Sequence, residues 1–142
     1  MRRDDWQDRL GKVVSDSRDK KFSWGENDCF TFVNSIHDAL TGVPLAKEWL
    51  GEYKTAYQAK KYYVSMIAKT GIDDIVAGID TKLPRLDCLC PPRGSIVARR
   101  ATGSDVLGYS FGVVVSYKCA LLGENGLEFL PVQRGDLFWS VD

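Results

Sequence analysis

The chain has 142 residues, a length that fits one compact domain with a real core. Lysine plus arginine equals aspartate plus glutamate at 19 each, so no net field steers it to nucleic acid or an anionic membrane. No apolar run approaches the roughly 20 residues of a membrane span. The charged start Met1-Arg2-Arg3-Asp4-Asp5 lacks the apolar core of a signal peptide, so synthesis in the cytosol is expected.

Asp4 to about Ser17 reads as an amphipathic helix with Trp6, Leu10, Val13 and Val14 on one face. A turn at Trp24-Gly25 follows, then a second helix over Asp28 to Leu40. Its apolar stripe is Phe30, Phe32, Val33, Ile36 and Leu40, and Asn27 or Asp28 supplies the N-cap. Thr41-Gly42-Val43-Pro44 ends it. Leu45 to Gly51 is an irregular link holding Trp49. A third helix is expected from Glu52 or Thr55 to Lys69, closed by Gly71, and a short helical turn from Asp73 to Gly78. Beyond Leu83-Pro84 the character changes, and Cys90-Pro91-Pro92-Arg93-Gly94 admits no helix. Strands are expected at Ser95 to Arg99, Ser110 to Tyr117, Leu127 to Val132 and Leu137 to Val141. Ala101 to Asp105 reads as a loop and Glu124-Asn125-Gly126 as a hairpin turn. Helices first and antiparallel strands after is an α+β order, in a single domain over residues 1–142.

The chemistry concentrates in Phe22-Ser23-Trp24-Gly25-Glu26-Asn27-Asp28-Cys29. A cysteine in the first turn of a helix sits at the positive end of the dipole, which favours thiolate. Cys29 is therefore the candidate nucleophile; the plain alternative is a small apolar residue in a helical turn. Trp24 is expected to be largely buried, wedging the turn. Cys88, Cys90 and Cys119 complete four cysteines, expected to stay thiols in a reducing compartment. Their spacing matches no CxxC zinc pattern, so no metal or cofactor is expected, with a four-thiolate centre or a disulfide as alternatives. Tyr57, Tyr62 and Tyr63 with Lys54, Lys60 and Lys61 read either as a binding face or as one buried aromatic side and one solvated basic side.

Trp24-Gly25-Glu26-Asn27-Asp28-Cys29 is followed in order by Thr41-Gly42, Tyr53-Lys54-Thr55, Pro92-Arg93-Gly94-Ser95 and Phe111-Gly112-Val113-Val114. Gly126-Leu127-Glu128-Phe129-Leu130-Pro131 and Trp139 close the series. This pattern resembles small tail-assembly proteins of tailed phages and prophages, a branch of the papain-like NlpC-type cysteine peptidases with a W-G-x-x-D-C motif. The resemblance implies a papain-like fold, N-terminal helices on a small antiparallel sheet, with Cys29 at the nucleophile position. In active members of that superfamily a histidine two residues before a glycine takes the thiol proton. Here Ser110-Phe111-Gly112 stands in that place, and serine is no base near neutral pH. Ser95 also departs from the aspartate frequent in the family.

His37, the one histidine, lies eight residues beyond Cys29 on the same expected helix. That is about 12 Å along the axis, against a required separation of roughly 3 Å. Glu26, Asp28 and Tyr117 are the remaining polar groups expected near Cys29, and a carboxylate beside a thiol opposes its ionisation. The expected function is thus a structural or assembly component of a phage tail tip on a degenerate peptidase fold. The alternative is an active cysteine hydrolase cutting peptidoglycan cross-link peptides during DNA entry. Expected partners are other tail-tip or hub proteins, with a possible oligomer within the particle and neither nucleic acid nor membrane. Expected locations are the host cytoplasm during assembly and then the virion tail.

Overall fold

A computed structural model of the chain describes residues 1–50, 53–71, 74–101 and 108–142. The expected helix start at Glu52, the link's end at Gly51, the turn's start at Asp73 and the loop to Asp105 lie outside these.

The helices come first. Helix α1 (Trp6–Ser17) turns Leu10 fully inward, with Trp6, Val13 and Val14 half-buried beside it. Helix α2 (Cys29–Thr41) starts at its Asp28 N-cap and stops at Gly42 in the left-handed conformation. All five residues of its expected stripe are buried, and Asn34 is buried with them. The link to the next helix contains a 3-10 turn, Lys47–Trp49, that carries Trp49 into the core. Asn34 pins this link: its amide donates to the Phe30 carbonyl (2.8 Å) and its oxygen accepts from the Ala46 N–H (2.7 Å). Helix α3 (Ala56–Thr70) is capped by Thr55, whose hydroxyl accepts from the Gln58 N–H. Helix α4 (Ile75–Asp80) is longer than the single turn expected, and buries Ile75, Val76 and Ile79.

Among the described residues six strands follow in one antiparallel sheet: β1 (Arg85–Leu86), β2 (Ile96–Arg100), β3 (Tyr109–Val114), β4 (Lys118–Gly123), β5 (Gly126–Pro131) and β6 (Leu137–Trp139). Their spatial order is β1-β6-β2-β3-β4-β5. The coarse α+β reading therefore holds, with two corrections to the expected strands. β1 and β4 were not foreseen. β4 carries Cys119-Ala120-Leu121-Leu122, an apolar run with no β-branched residue, so strand propensity is silent there. The expected strand from Ser110 ends at Val114, because the chain turns through Ser116 at a φ of 141° into β4. The Glu124-Asn125 turn consequently joins β4 to β5. In space, β6 lies between β1 and β2.

Alternation along the strands sorts the side chains onto two faces. Ile96, Ala98, Phe111, Val113, Ala120, Leu122, Leu127 and Trp139 face the helices and form the main core with Leu10, Cys29, Phe30, Val33 and Ile36. Helix α2 packs on β3, and α1 packs on α2 and reaches β5. Burial of a side chain such as Phe30 or Phe111 is worth about 1.5–3 kcal/mol. A second, smaller core lies on the far face: Val97, Val114, Cys119, Leu121 and Phe138, with Leu86 and Val132 against it. The sheet curls around this second core. Arg99 on β2 reaches the Pro131 carbonyl at the end of β5 (2.8 Å), although β3 and β4 lie between those strands.

Trp24 is half-buried rather than largely buried. Its ring stands edge-to-face with Phe22 (4.7 Å between centroids) and meets Tyr53 (6.3 Å), so it covers the turn from the rim of the core. The adjoining Gly25 has a φ of 84°, and a Cβ there would meet the Tyr53 carbonyl oxygen at 2.2 Å. The Trp-Gly pair thus has a packing reason: glycine lets the segment before α3 close over the turn before α2.

Candidate functional site around Cys29

Asp28 builds the start of α2. It is fully buried, and its carboxylate accepts from the N–H groups of Thr31 (3.0 Å) and Gly25 (2.8 Å). The Thr31 hydroxyl accepts from the Asp28 N–H (2.8 Å), completing a reciprocal cap. Both carboxylate oxygens are therefore committed to backbone donors that would otherwise be orphaned. Asp28 is a structural anion of the turn.

Cys29 is the first residue of α2 and is 6% exposed. Beside it lies a cavity of about 10 Å³, close to the least that admits one water. Cys29, Phe30, Val33, Trp49, Ile75, Ile79 and Phe111 line it. Among the described residues, no carboxylate, imidazole or amine joins Cys29 in that lining.

The other sequence-selected residues are dispersed. Ser110 sits on β3 opposite Arg99, one residue from Phe111. Phe111 and Val113 face Cys29's core, so alternation sends Ser110 to the opposite face of the sheet. His37 remains on the helical stretch beyond Cys29, with about 12 Å of axial rise between them. Its Nδ1–H donates to the Val43 carbonyl (2.7 Å), and Thr41 donates to the His37 carbonyl (2.7 Å). His37 thus fastens the chain leaving α2. Glu26 is exposed, and Tyr117 is 78% exposed in the β3–β4 turn; the expectation that they stand beside Cys29 is corrected. Ser95 is buried, its hydroxyl donating to the Pro92 carbonyl (2.7 Å) in the turn before β2.

The cysteines also separate. Cys29 lies in the core under the helices, Cys119 in the core on the far face, and Cys88 and Cys90 at the surface. Among the described residues no disulfide forms, and no three His, Cys, Asp or Glu side chains gather as metal ligands. Burial pushes the Cys119 thiol up to about 11, with Asp136 adding to the effect and Arg99 opposing it.

Two tyrosines complete the surroundings: Tyr53, which the sequence did not mark as a site residue, and Tyr63, which it offered for a binding face or a buried aromatic side. Tyr53 is 2% exposed, and its hydroxyl is enclosed beside the Asp28 side chain. Burial, and then the negative field of Asp28, push its ionisation well above the usual tyrosine range. It packs edge-on to Phe30 (6.2 Å) and Trp24. Tyr63 accepts from the Ile75 N–H (2.9 Å) and so receives the start of α4 into the core. The Tyr53-Lys54-Thr55 segment carried a signal for the first of these: Tyr53 packs beneath the turn, and Thr55 caps α3.

A family profile described as a domain of unknown function, DUF6950, matches residues 1–141. The chain belongs to the DUF6950 family. The match runs from α1 through β6, so both cores and Cys29 fall inside the DUF6950 region. No curated protein and no solved structure matches the chain.

Proposed function

We propose that this DUF6950 chain is a structural or assembly component of the tail tip of a phage-like particle. It uses a papain-like, NlpC-type fold as a packing module that binds hub or neighbouring tail-tip proteins. It is made in the host cytoplasm and carried in the virion. The tail-assembly part of the reading rests on the ordered motifs from Trp24-Gly25 to Trp139. The non-catalytic part rests on one observation: the chamber beside Cys29 is small and apolar, with Phe111 as its β3 wall. Attack on an amide requires a thiolate and a proton donor for the leaving amine. A general base or acid has to lie within about 3 Å or one water of the reacting atom. His37 and Ser110 meet neither requirement, one by axial distance and the other by facing away.

The test is Cys29→Ser, in purified protein and in particles. Purified parent protein is expected to leave peptidoglycan cross-link peptides intact, and Cys29→Ser particles to assemble and infect like the parent. Peptide turnover that disappears in Cys29→Ser would overturn the reading. Fully assembled but non-infectious Cys29→Ser particles would also do so, in favour of a hydrolase completed by a neighbouring protein.

A further inference from the structure

The outward face of α3 is amphipathic in an unusual direction. Its inner side is accounted for: Ala59 is fully buried, and Tyr62, Tyr63 and Met66 pack on the core. Yet its outer side carries Tyr57 (70% exposed) and Val64 (56% exposed), with Ala68 beyond them. Tyr57, Lys61, Val64 and Ala68 follow one another at i, i+4, i+7 and i+11, the spacing of a helix–helix seam. With Lys60 and Ser65 they make one continuous exposed surface along the helix. The flanking charge has one sign. Lys54, Lys60, Lys61 and Lys69 are exposed on or just before α3, and no acidic residue occurs between Ala56 and Thr70. In a chain whose charges balance at 19 each, this is a local concentration of positive charge.

We propose that this face of α3 docks an acidic amphipathic helical segment of a protein partner. The apolar positions of that segment would pack on the surface between Tyr57 and Ala68, and its carboxylates would meet Lys60 and Lys61. The helix is about 22 Å long, enough to receive a helix of similar length. Charge complementarity selects the occupant. A second copy of this chain would set Lys60 and Lys61 against lysines or a mostly uncharged seam, and like charges across an interface are unfavourable. A single-stranded nucleic acid needs open aromatic faces for stacking, but the Lys61 ammonium already lies 5.3 Å from the centre of the Tyr57 ring. An anionic membrane needs large apolar side chains for insertion, and this seam offers valine and alanine beside its tyrosine. The proposal stands on the surface of α3 alone and does not depend on the tail-tip reading.

The probe is a synthetic helical peptide of roughly three heptads, with leucine and alanine on its seam and glutamate flanking it. It is titrated into the isotope-labelled full chain and followed by amide chemical shifts. Expected are shifts concentrated at Tyr57, Lys61, Val64 and Ala68, and a loss of about tenfold in affinity for Lys60→Glu/Lys61→Glu. Both lysines are exposed, so that variant is expected to keep the parent's fold, which its remaining spectrum reports. A peptide with lysine in place of glutamate is expected not to bind. The proposal fails if the acidic peptide leaves these amides unmoved, or if the basic peptide binds as well. It also fails if an oligonucleotide or phosphatidylserine vesicles engage the same residues more tightly, or if the chain self-associates through them.

Discussion

Asp28 shows how a residue's position decides its role. A carboxylate next to a cysteine invites a catalytic reading, yet the fully buried Asp28 side chain uses its two oxygens to hold the N–H groups of Gly25 and Thr31. Removing it leaves two enclosed donors without acceptors and α2 without its cap. Asp28→Ala is expected to lower stability by about 3 kcal/mol, and Asp28→Asn by less, because one amide oxygen remains. Urea midpoints decide this; an Asp28→Ala chain that unfolds at the parent's midpoint would contradict it. Cys119 carries a pH prediction. Its thiol is pushed up to about 11 in the folded chain, above the ordinary value of 9.0. The folded state therefore keeps a proton that the unfolded state releases in that interval. Its stabilising contribution is full below pH 9.0 and is lost as the pH rises to about 11. Cys119→Ala is expected to flatten this alkaline decline in thermal midpoint. Exposed Cys88 and Cys90 are expected to alkylate rapidly in the native state, while Cys119 is protected.

At the scale of elements, β3 ties the helices to the sheet, and Gly112 is its most constrained position. A Cβ there would lie 2.0 Å from the Ala120 carbonyl oxygen on β4. The neighbour is backbone inside a paired strand, so it has no rotamer to yield. Gly112→Ala is expected to cost at least about 3 kcal/mol or to abolish folding. Recovery of soluble Gly112→Ala protein with the parent's melting temperature would refute this. The same glycine anchors the family-like Phe111-Gly112-Val113-Val114 segment, whose pattern is thus explained by strand packing without appeal to catalysis. Sequence periodicity located α1, α2 and α3 because each has its own apolar stripe, and α2 and α3 are also capped. It passed over β4, whose alanine and leucines suit a helix as well as a strand. It also passed over β1, whose two residues pair with Phe138 and Trp139 and carry no pattern of their own.

At the scale of the whole molecule, the curl of the sheet is held by Arg99 and Asp136. The guanidinium meets the carboxylate through two hydrogen bonds (2.9 and 2.8 Å), and their side chains are 15% and 2% exposed. Asp136 also accepts from the Gln133 N–H (2.8 Å), fixing the turn that leads into β6. Asp136→Ala leaves a half-buried guanidinium without its counter-charge and is expected to cost about 1.5–3 kcal/mol. Arg99→Leu/Asp136→Leu is expected to recover part of that loss, because it removes both charges together. A double variant no more stable than Asp136→Ala, measured by the same denaturant curve, would count against this account. On the opposite side of the sheet, Trp139 donates to Asp80 (2.8 Å), which also forms a bidentate pair with Arg85. The last strand is thereby joined to α4 and β1 by polar contacts as well as by packing.

The amino-acid sequence by itself determined what short-range physics can specify. Capping residues set the start of α2 at Cys29, glycines set the ends of α2 and α3, and aromatic and β-branched residues marked β3. It also carried the balance of charge and the absence of a histidine within helical reach of Cys29. Tertiary structure decided the quantities that depend on distant segments meeting. Only the alternation of β3 against α2 turned Phe111 towards Cys29 and Ser110 away. Only the insertion of β6 between β1 and β2 brought Phe138 beside Cys119 in a second core. A one-residue step along a strand reverses a side chain's face, and no local propensity records which face a distant helix will cover.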